Sequence, residues 1–216
     1  MKIPTLLIAI LILLAACTQA EDPLPAPTTA VPAIAPIAVT YFTPAQQEGP
    51  YYTVNKPEDQ DNDLATFAGA AGVPIGQILE FGGTVYGADG LPLEGITLEI
   101  WQTDANGVYL HPNDPGTNGR DPNFQFYGEA VTDAAGSYNF RTVLPGLYEP
   151  RPRHIHVKIK LADRELLTTQ FYFSGEVNLQ GDDAALLIAA EPAQDEAGNP
   201  ILKGQRDIIL NFTPNN

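Results

Sequence analysis

The stretch Ile96-Thr97-Leu98-Glu99-Ile100-Trp101, followed two residues later by Asp104-Ala105-Asn106-Gly107, decides the fold. Ile96, Leu98 and Ile100 alternate with Thr97, Glu99 and Trp101, the period-two pattern of a strand with one buried face. The Asp-Ala-Asn-Gly cluster behind it is hairpin chemistry, in which Gly107 supplies a positive φ. The segment Thr103 to Tyr109 (TDANGVY) returns 29 residues later as Thr132 to Tyr138 (TDAAGSY), which reads as one turn used twice and not as a repeat array. Working outward, Phe81 to Tyr86, Tyr138 to Val143, His154 to Leu161 and Leu167 to Phe173 are further short apolar or β-branched runs. Turn clusters such as Gly87-Ala88-Asp89-Gly90 and Pro145-Gly146 separate them. Only Ala65 to Ala71 and Asp183 to Ala190 have a helical look. The expectation is an all-β protein, a β-sandwich with short helices and long loops.

Composition points the same way. Nineteen Gly and 20 Pro among 216 residues are about 18%, against a usual roughly 12%, and favour many turns between short strands. Eleven Lys and Arg against 26 Asp and Glu leave a formal charge of −15, which repels phosphate backbones and argues against nucleic acid as a partner. The single cysteine forms no disulfide within the chain and no thiolate metal cluster, so any metal takes N and O ligands.

That cysteine sits near the start. An apolar run from Ile3 to Leu14 follows Lys2 and ends in Leu14-Ala15-Ala16-Cys17, so residues 1–16 read as a lipoprotein signal peptide with Cys17 as the lipidation site. The run is too short for a membrane span, which needs roughly 20 residues. From Thr18 to Thr40, 15 of 23 residues are Pro, Ala or Thr, and 17–40 reads as a tether. Residues 41–216 are then the folded body. The expected location is exported, as a bacterial cell-envelope lipoprotein that meets the membrane only through its lipid.

The chemistry concentrates in Arg151-Pro152-Arg153-His154-Ile155-His156. On a strand, His154 and His156 project from one face and can share a metal, or they are two surface histidines. Arg153 falls on the opposite side with Ile155. The third histidine is His111. Tyrosines are the other oxygen donors in reach, notably Tyr148, but the residues alone do not choose among nine of them.

A resemblance does choose. Gly95 to Gln102, Asp104 to Tyr109, Asp121 to Phe124, Thr132 to Phe140, Thr142 to Tyr148, Arg151 to His156 and Leu167 to Phe171 together resemble the intradiol ring-cleavage dioxygenases, most of all the protocatechuate type. The likeness runs on to Glu48-Gly49-Pro50-Tyr51-Tyr52, Val73-Pro74-Ile75-Gly76 and a closing strand around Asp207 to Phe212. The family holds a mononuclear non-haem Fe(III) by two tyrosinates and two histidines, which fall here on Tyr109, Tyr148, His154 and His156. Phenolate is a hard anionic donor suited to Fe(III), and two of them lower the charge of the site in favour of the ferric state. Tyr138, in the equivalent place of the second turn, is assigned to core packing, as is Trp101.

The resemblance implies cleavage of a catechol by O2 between its two hydroxyl-bearing carbons, giving a cis,cis-muconate-type diacid. The catechol chelates the iron and displaces Tyr148. Arg151 matches the arginine that stabilises negative charge on the ring, and Gln170 a second polar residue beside the substrate. Tyr51 or Tyr52 lines the mouth. Two departures stand out: only Glu149 and Pro150 separate Tyr148 from Arg151, where protocatechuate enzymes carry a longer insertion, and the Pro-rich tether cannot supply the helical dimer-forming region of catechol enzymes. The acidic charge favours catechols of modest charge. Two other function classes compete, an inactive cell-surface ligand-binding β-sandwich and a zinc metalloenzyme on the same histidine pair.

Overall fold

Nine strands and one short 3-10 helix form the body, in a computed structural model that describes residues 35–116 and 119–214. The expected signal peptide, Cys17 and most of the tether lie outside the described residues. Ile37, within the expected tether, donates its N–H to the Gly90 carbonyl at 2.9 Å.

The strands are β1 (Ile78–Tyr86), β2 (Thr97–Trp101), β3 (Tyr127–Val131), β4 (Ser137–Val143), β5 (His154–Leu161), β6 (Arg164–Phe173), β7 (Leu187–Gln194), β8 (Pro200–Gln205) and β9 (Ile208–Ile209). Their hydrogen-bonded order is β3-β2-β5-β6-β7-β8-β1-β4, with β9 beside β1. The β6-β7 link is only two residues long, Tyr172 to Leu187 and Phe173 to Ile188. It divides the path into two layers, β3-β2-β5-β6 and β7-β8-β1-β4.

The apolar faces of the layers meet. Leu98, Ile100, Ile155, Val157 and Phe171 from one layer share a core with Leu79, Phe81, Phe140 and Ile188 from the other, and the Phe81 and Phe171 rings cross it at 6.4 Å. Each of these side chains contributes roughly 1.5–3 kcal/mol by leaving water. The alternation that puts Leu98 and Ile100 inward puts Glu99 and Trp101 on the other face. Direct register of Trp101 with His156, His156 with Gln170, and His154 with Tyr172 gathers these side chains on that outer face.

An arm from Thr43 to Lys56 covers this face. Gln46 donates its N–H to the Thr168 carbonyl at 2.9 Å, Thr169 Oγ1 donates to the Pro44 carbonyl at 2.7 Å, and Gln170 Nε2 donates to the Gln47 carbonyl at 2.7 Å. Tyr52 is thereby laid over Trp101 of β2 and Lys158 of β5, and Tyr51 beside Tyr109 and Tyr148.

The two expected helices do not form as read. Residues 65–71 are turns. Of Asp183 to Ala190, the first part belongs to the 3-10 helix Gly181–Leu186 and the rest begins β7. Strand β7 takes over the alanine-rich end of that run, and from Ala189 onward it is paired on the β8 side only. An edge of that kind tolerates Pro192.

Candidate metal centre

The turn Asp104 to Gly107 places Tyr109. Asp104 Oδ1 accepts N–H bonds from Asn106 at 2.9 Å and Val108 at 3.1 Å, and Gly107 takes φ +81°. Beyond the turn, the Tyr109 N–H donates to Asp114 at 2.6 Å, and Arg120 Nε donates to its carbonyl at 2.8 Å. With its backbone held at both ends, Tyr109 sends its ring inward, leaving 2% of the residue exposed.

Its hydroxyl meets the two histidines. Tyr109 Oη lies 3.1 Å from His154 Nε2 and 3.1 Å from His156 Nε2, and the two nitrogens are 3.1 Å apart. The three atoms make a nearly equilateral triangle. Ligands bound at right angles with bonds of about 2.1 Å stand about 3 Å apart, so this spacing fits three donors on one ion. A hydrogen bond ties two of these atoms at a time, whereas a cation ties all three.

Protonation states favour the same use. His154 Nδ1 meets the Pro152 carbonyl at 2.7 Å, which fixes the proton there and leaves Nε2 bare. Burial pulls His154 down to about 4, and burial with the nearby His154 and Arg151 holds His156 well below its ordinary range. Both imidazoles are neutral at pH 7 and present lone pairs. Burial pushes the Tyr109 phenol up, so without a cation it keeps its proton. Among the described residues no group of three or more His, Cys, Asp or Glu side chains gathers to hold a metal. The third donor to the histidine pair is a phenol, a set that suits a hard ferric ion and departs from the usual zinc sets.

Tyr148 stands beside this triangle. Its ring is 5.6 Å from that of Tyr109, and its hydroxyl is 2.8 Å from the hydroxyl of Tyr51. That bond first, and burial second, push the Tyr148 phenol up to about 12. Arg151 follows at once, its N–H donating to the Tyr148 carbonyl at 2.9 Å across Glu149 and Pro150. Its guanidinium donates to Gln170 Oε1 at 2.8 Å and to the Tyr172 hydroxyl at 3.2 Å, while that hydroxyl donates to Gln170 at 2.8 Å. The cation is thus pinned at the rim and remains exposed.

Arg153 turns away, pairing with Glu176 at 3.0 Å and donating to the Pro145 carbonyl at 2.6 Å. His111 serves its own loop, accepting the Asn113 N–H at 3.1 Å. Tyr52 does not reach the triangle; its hydroxyl donates to Glu99 at 2.7 Å. Two residues the sequence reading passed over belong to the site. Tyr172 completes the Arg151 network, and its place two residues beyond Gln170 on the same strand face was the available signal. Trp101, assigned to core packing, is fully buried but lies flat on His156, ring centroids 4.7 Å apart and planes 10° from parallel.

A family model described as "Dioxygenase" matches residues 47–198. The chain is similar to the protocatechuate 3,4-dioxygenase beta chain of Burkholderia cepacia, 36% identical over 145 residues, covering 63% of this chain and 61% of that one. It is also similar to catechol 1,2-dioxygenase of Acinetobacter baylyi, 30% identical over 167 residues, covering 66% and 50%. It thus spans about three fifths and one half of these relatives. Among solved structures, the dioxygenase domain of a dioxygenase carbohydrate-binding protein fusion from the cellulolytic bacterium Streptomyces sp. SirexAA-E superimposes with a TM-score of 0.62 at 34% identity, covering 80% of this chain and 100% of that domain. With the fold, the match over most of the body and the relatives in agreement, this chain belongs to the intradiol ring-cleavage dioxygenase family.

Proposed function

We propose that the protein is a non-haem Fe(III) dioxygenase that opens a catechol of modest charge between its two hydroxyl-bearing carbons, with both atoms of O2 entering a cis,cis-muconate-type diacid. The observation that carries this reading is the 3.1 Å triangle of Tyr109 Oη, His154 Nε2 and His156 Nε2. Tyr148 is the fourth ligand. When bound, the ferric ion supplies the charge that strips the phenol protons and the acceptor orbital into which a catecholate donates.

The chain's own residues do the rest. Tyr109, His154 and His156 form a buried floor that keeps water from the reacting ring. Tyr148 Oη is a raised-pKa phenol, so its phenolate is a strong base placed to take a proton from an arriving catechol hydroxyl. Tyr51, already hydrogen-bonded to that oxygen, holds it when it swings aside. Arg151, fixed by Gln170 and Tyr172, presents a permanent cation to negative charge developing on the ring. At the other end of the chain, Leu14-Ala15-Ala16-Cys17 supports export and lipid attachment at Cys17, with the enzyme held at the bacterial envelope.

Aerobic incubation of the iron-loaded protein with a panel of catechols, followed by ultraviolet spectra and by mass spectrometry in labelled O2, tests the reading. Muconate-type products carrying both labelled atoms are expected. Semialdehyde products, or no oxygen uptake with any catechol, would overturn it. Tyr148→Phe should lower turnover by about 100-fold or more.

A further inference from the structure

The two histidines of the triangle are held by different means. His154 has the usual arrangement, its second ring nitrogen engaged by the Pro152 carbonyl at 2.7 Å. His156 does not. Its Nδ1 is buried, and among the described residues no group hydrogen-bonds it. An imidazole with a free second nitrogen can rotate about its χ2 torsion unless something else fixes the plane.

The neighbour that can fix it is Trp101, directly opposite His156 in the β2-β5 register. Its indole lies flat on the imidazole at 4.7 Å, and the backbone at Gly49 closes one edge of the imidazole, since a Cβ there would stand 3.4 Å from His156 Cε1. The indole is itself braced. Tyr52 packs perpendicular to it, ring centroids 4.9 Å apart and planes at 90°, and the Tyr52 hydroxyl donates to Glu99 at 2.7 Å. Glu99, whose side chain is fully buried, is held in turn by Lys56 at 3.1 Å and by Lys160. Lys158 Nζ sits 4.1 Å above the Tyr52 ring.

We propose that Trp101 is the positioning residue for His156, orienting this ligand by ring stacking in place of a hydrogen bond to its second nitrogen, and that the Glu99–Tyr52 pair holds the indole in place. The inference rests on the reading of the triangle as a ferric site and goes beyond it, because it assigns a role to residues that touch neither metal nor substrate.

Trp101 is the protein's one tryptophan, so its emission reports on this stack without any turnover. Titration of the metal-free full chain with ferric ion should change that emission in step with one bound ion. Release of the iron to a chelator should then be about 10-fold or more faster in Trp101→Leu than in the parent. Trp101→Phe, which keeps a ring, should restore most of the difference, and Tyr52→Phe should fall between parent and Trp101→Leu. Equal release from the parent and a folded Trp101→Leu overturns the proposal, as does equal loss in the Leu and Phe variants, which would make the residue mere filling. If the Leu variant fails to fold, emission of the parent that stays constant through stoichiometric loading overturns it instead. A parent that holds no ferric ion brings down the metal-centre reading and this proposal with it, an outcome distinct from the others.

Discussion

Two turns of this protein are nearly the same object. In the first, Asp104 Oδ1 accepts N–H bonds from residues two and four further on, and Gly107 takes φ +81°. In the second, Asp133 Oδ1 accepts from Ala135 and Ser137, both at 2.9 Å, and Gly136 takes φ +71°. Each turn launches a tyrosine. Tyr109 goes to the triangle, whereas Tyr138 goes to the core, meeting the Phe81 and Phe140 rings edge-on and donating its hydroxyl to the Arg206 carbonyl at 2.6 Å. The turns differ in what they lean on. The first packs against the loop that carries Tyr148, with the Gly146 N–H donating to the Asp104 carbonyl at 2.8 Å; the second packs against β1, through the Val85 N–H on the Gly136 carbonyl at 2.9 Å. Local sequence sets the turn, and the neighbour sets its use.

The largest test of that contrast removes the two hydroxyls. Tyr109→Phe should abolish stable ferric binding and lower turnover by about 10³-fold or more, the several kcal/mol a metal supplies. Tyr138→Phe should keep iron and turnover and lose about 1 kcal/mol of stability, the worth of one buried hydrogen bond. Metal analysis, oxygen uptake and thermal unfolding of both variants decide it. A Tyr109→Phe variant that retains iron at the parent's level would erase the distinction between the turns.

Much of this was legible in the residues because it is local. The alternation of Ile96 to Trp101 and the repeated Asp-Ala-x-Gly cluster specify strand and turn without reference to anything distant. His154 and His156 share a face for the same reason. Helix was misread at residues 187–190 because an alanine-rich run is decided by the partners it finds, here β6 and β8, and those partners are not in the run. Strand β3 was overlooked for a similar cause: Tyr127-Gly128-Glu129-Ala130-Val131 has weak intrinsic preference and is recruited by β2. At the site, the family resemblance supplied Tyr109 and Tyr148, and the stack of Trp101 on His156 needed the β2-β5 register to become visible.

A middle-sized test concerns the aspartates. Asp104 is fully buried and also accepts the Asp121 N–H at 2.8 Å, so Asp104→Ala leaves the buried N–H groups of Val108 and Asp121 without their acceptor, as well as that of half-buried Asn106, and should cost about 3 kcal/mol. Asp133 is exposed, and the two N–H groups it releases can bond to water; Asp133→Ala should cost about 1 kcal/mol. Urea unfolding of the two variants measures the gap, and equal costs would mean that burial of the first turn adds nothing.

The glycines give the smallest difference in stability and the sharpest difference in kind. Both occupy positive φ, so alanine is strained by about 1–2 kcal/mol at either one. A Cβ on Gly136 would stand 2.8 Å from Pro92 Cβ and 2.8 Å from the Val85 carbonyl oxygen, neither of which belongs to the site. A Cβ on Gly107 would run into the carbonyl oxygen of Leu147, the residue before Tyr148. Relief of that clash has to move the loop that presents Tyr148 and Arg151. Gly107→Ala should therefore match Gly136→Ala in unfolding free energy and yet turn over catechol about 10-fold more slowly, since small displacements of a positioned base are costly. Paired measurements of urea midpoint and oxygen uptake test this. If both variants lose turnover only in proportion to the fraction unfolded, the first turn does not aim Tyr148, and the two turns differ only in the tyrosine each one carries.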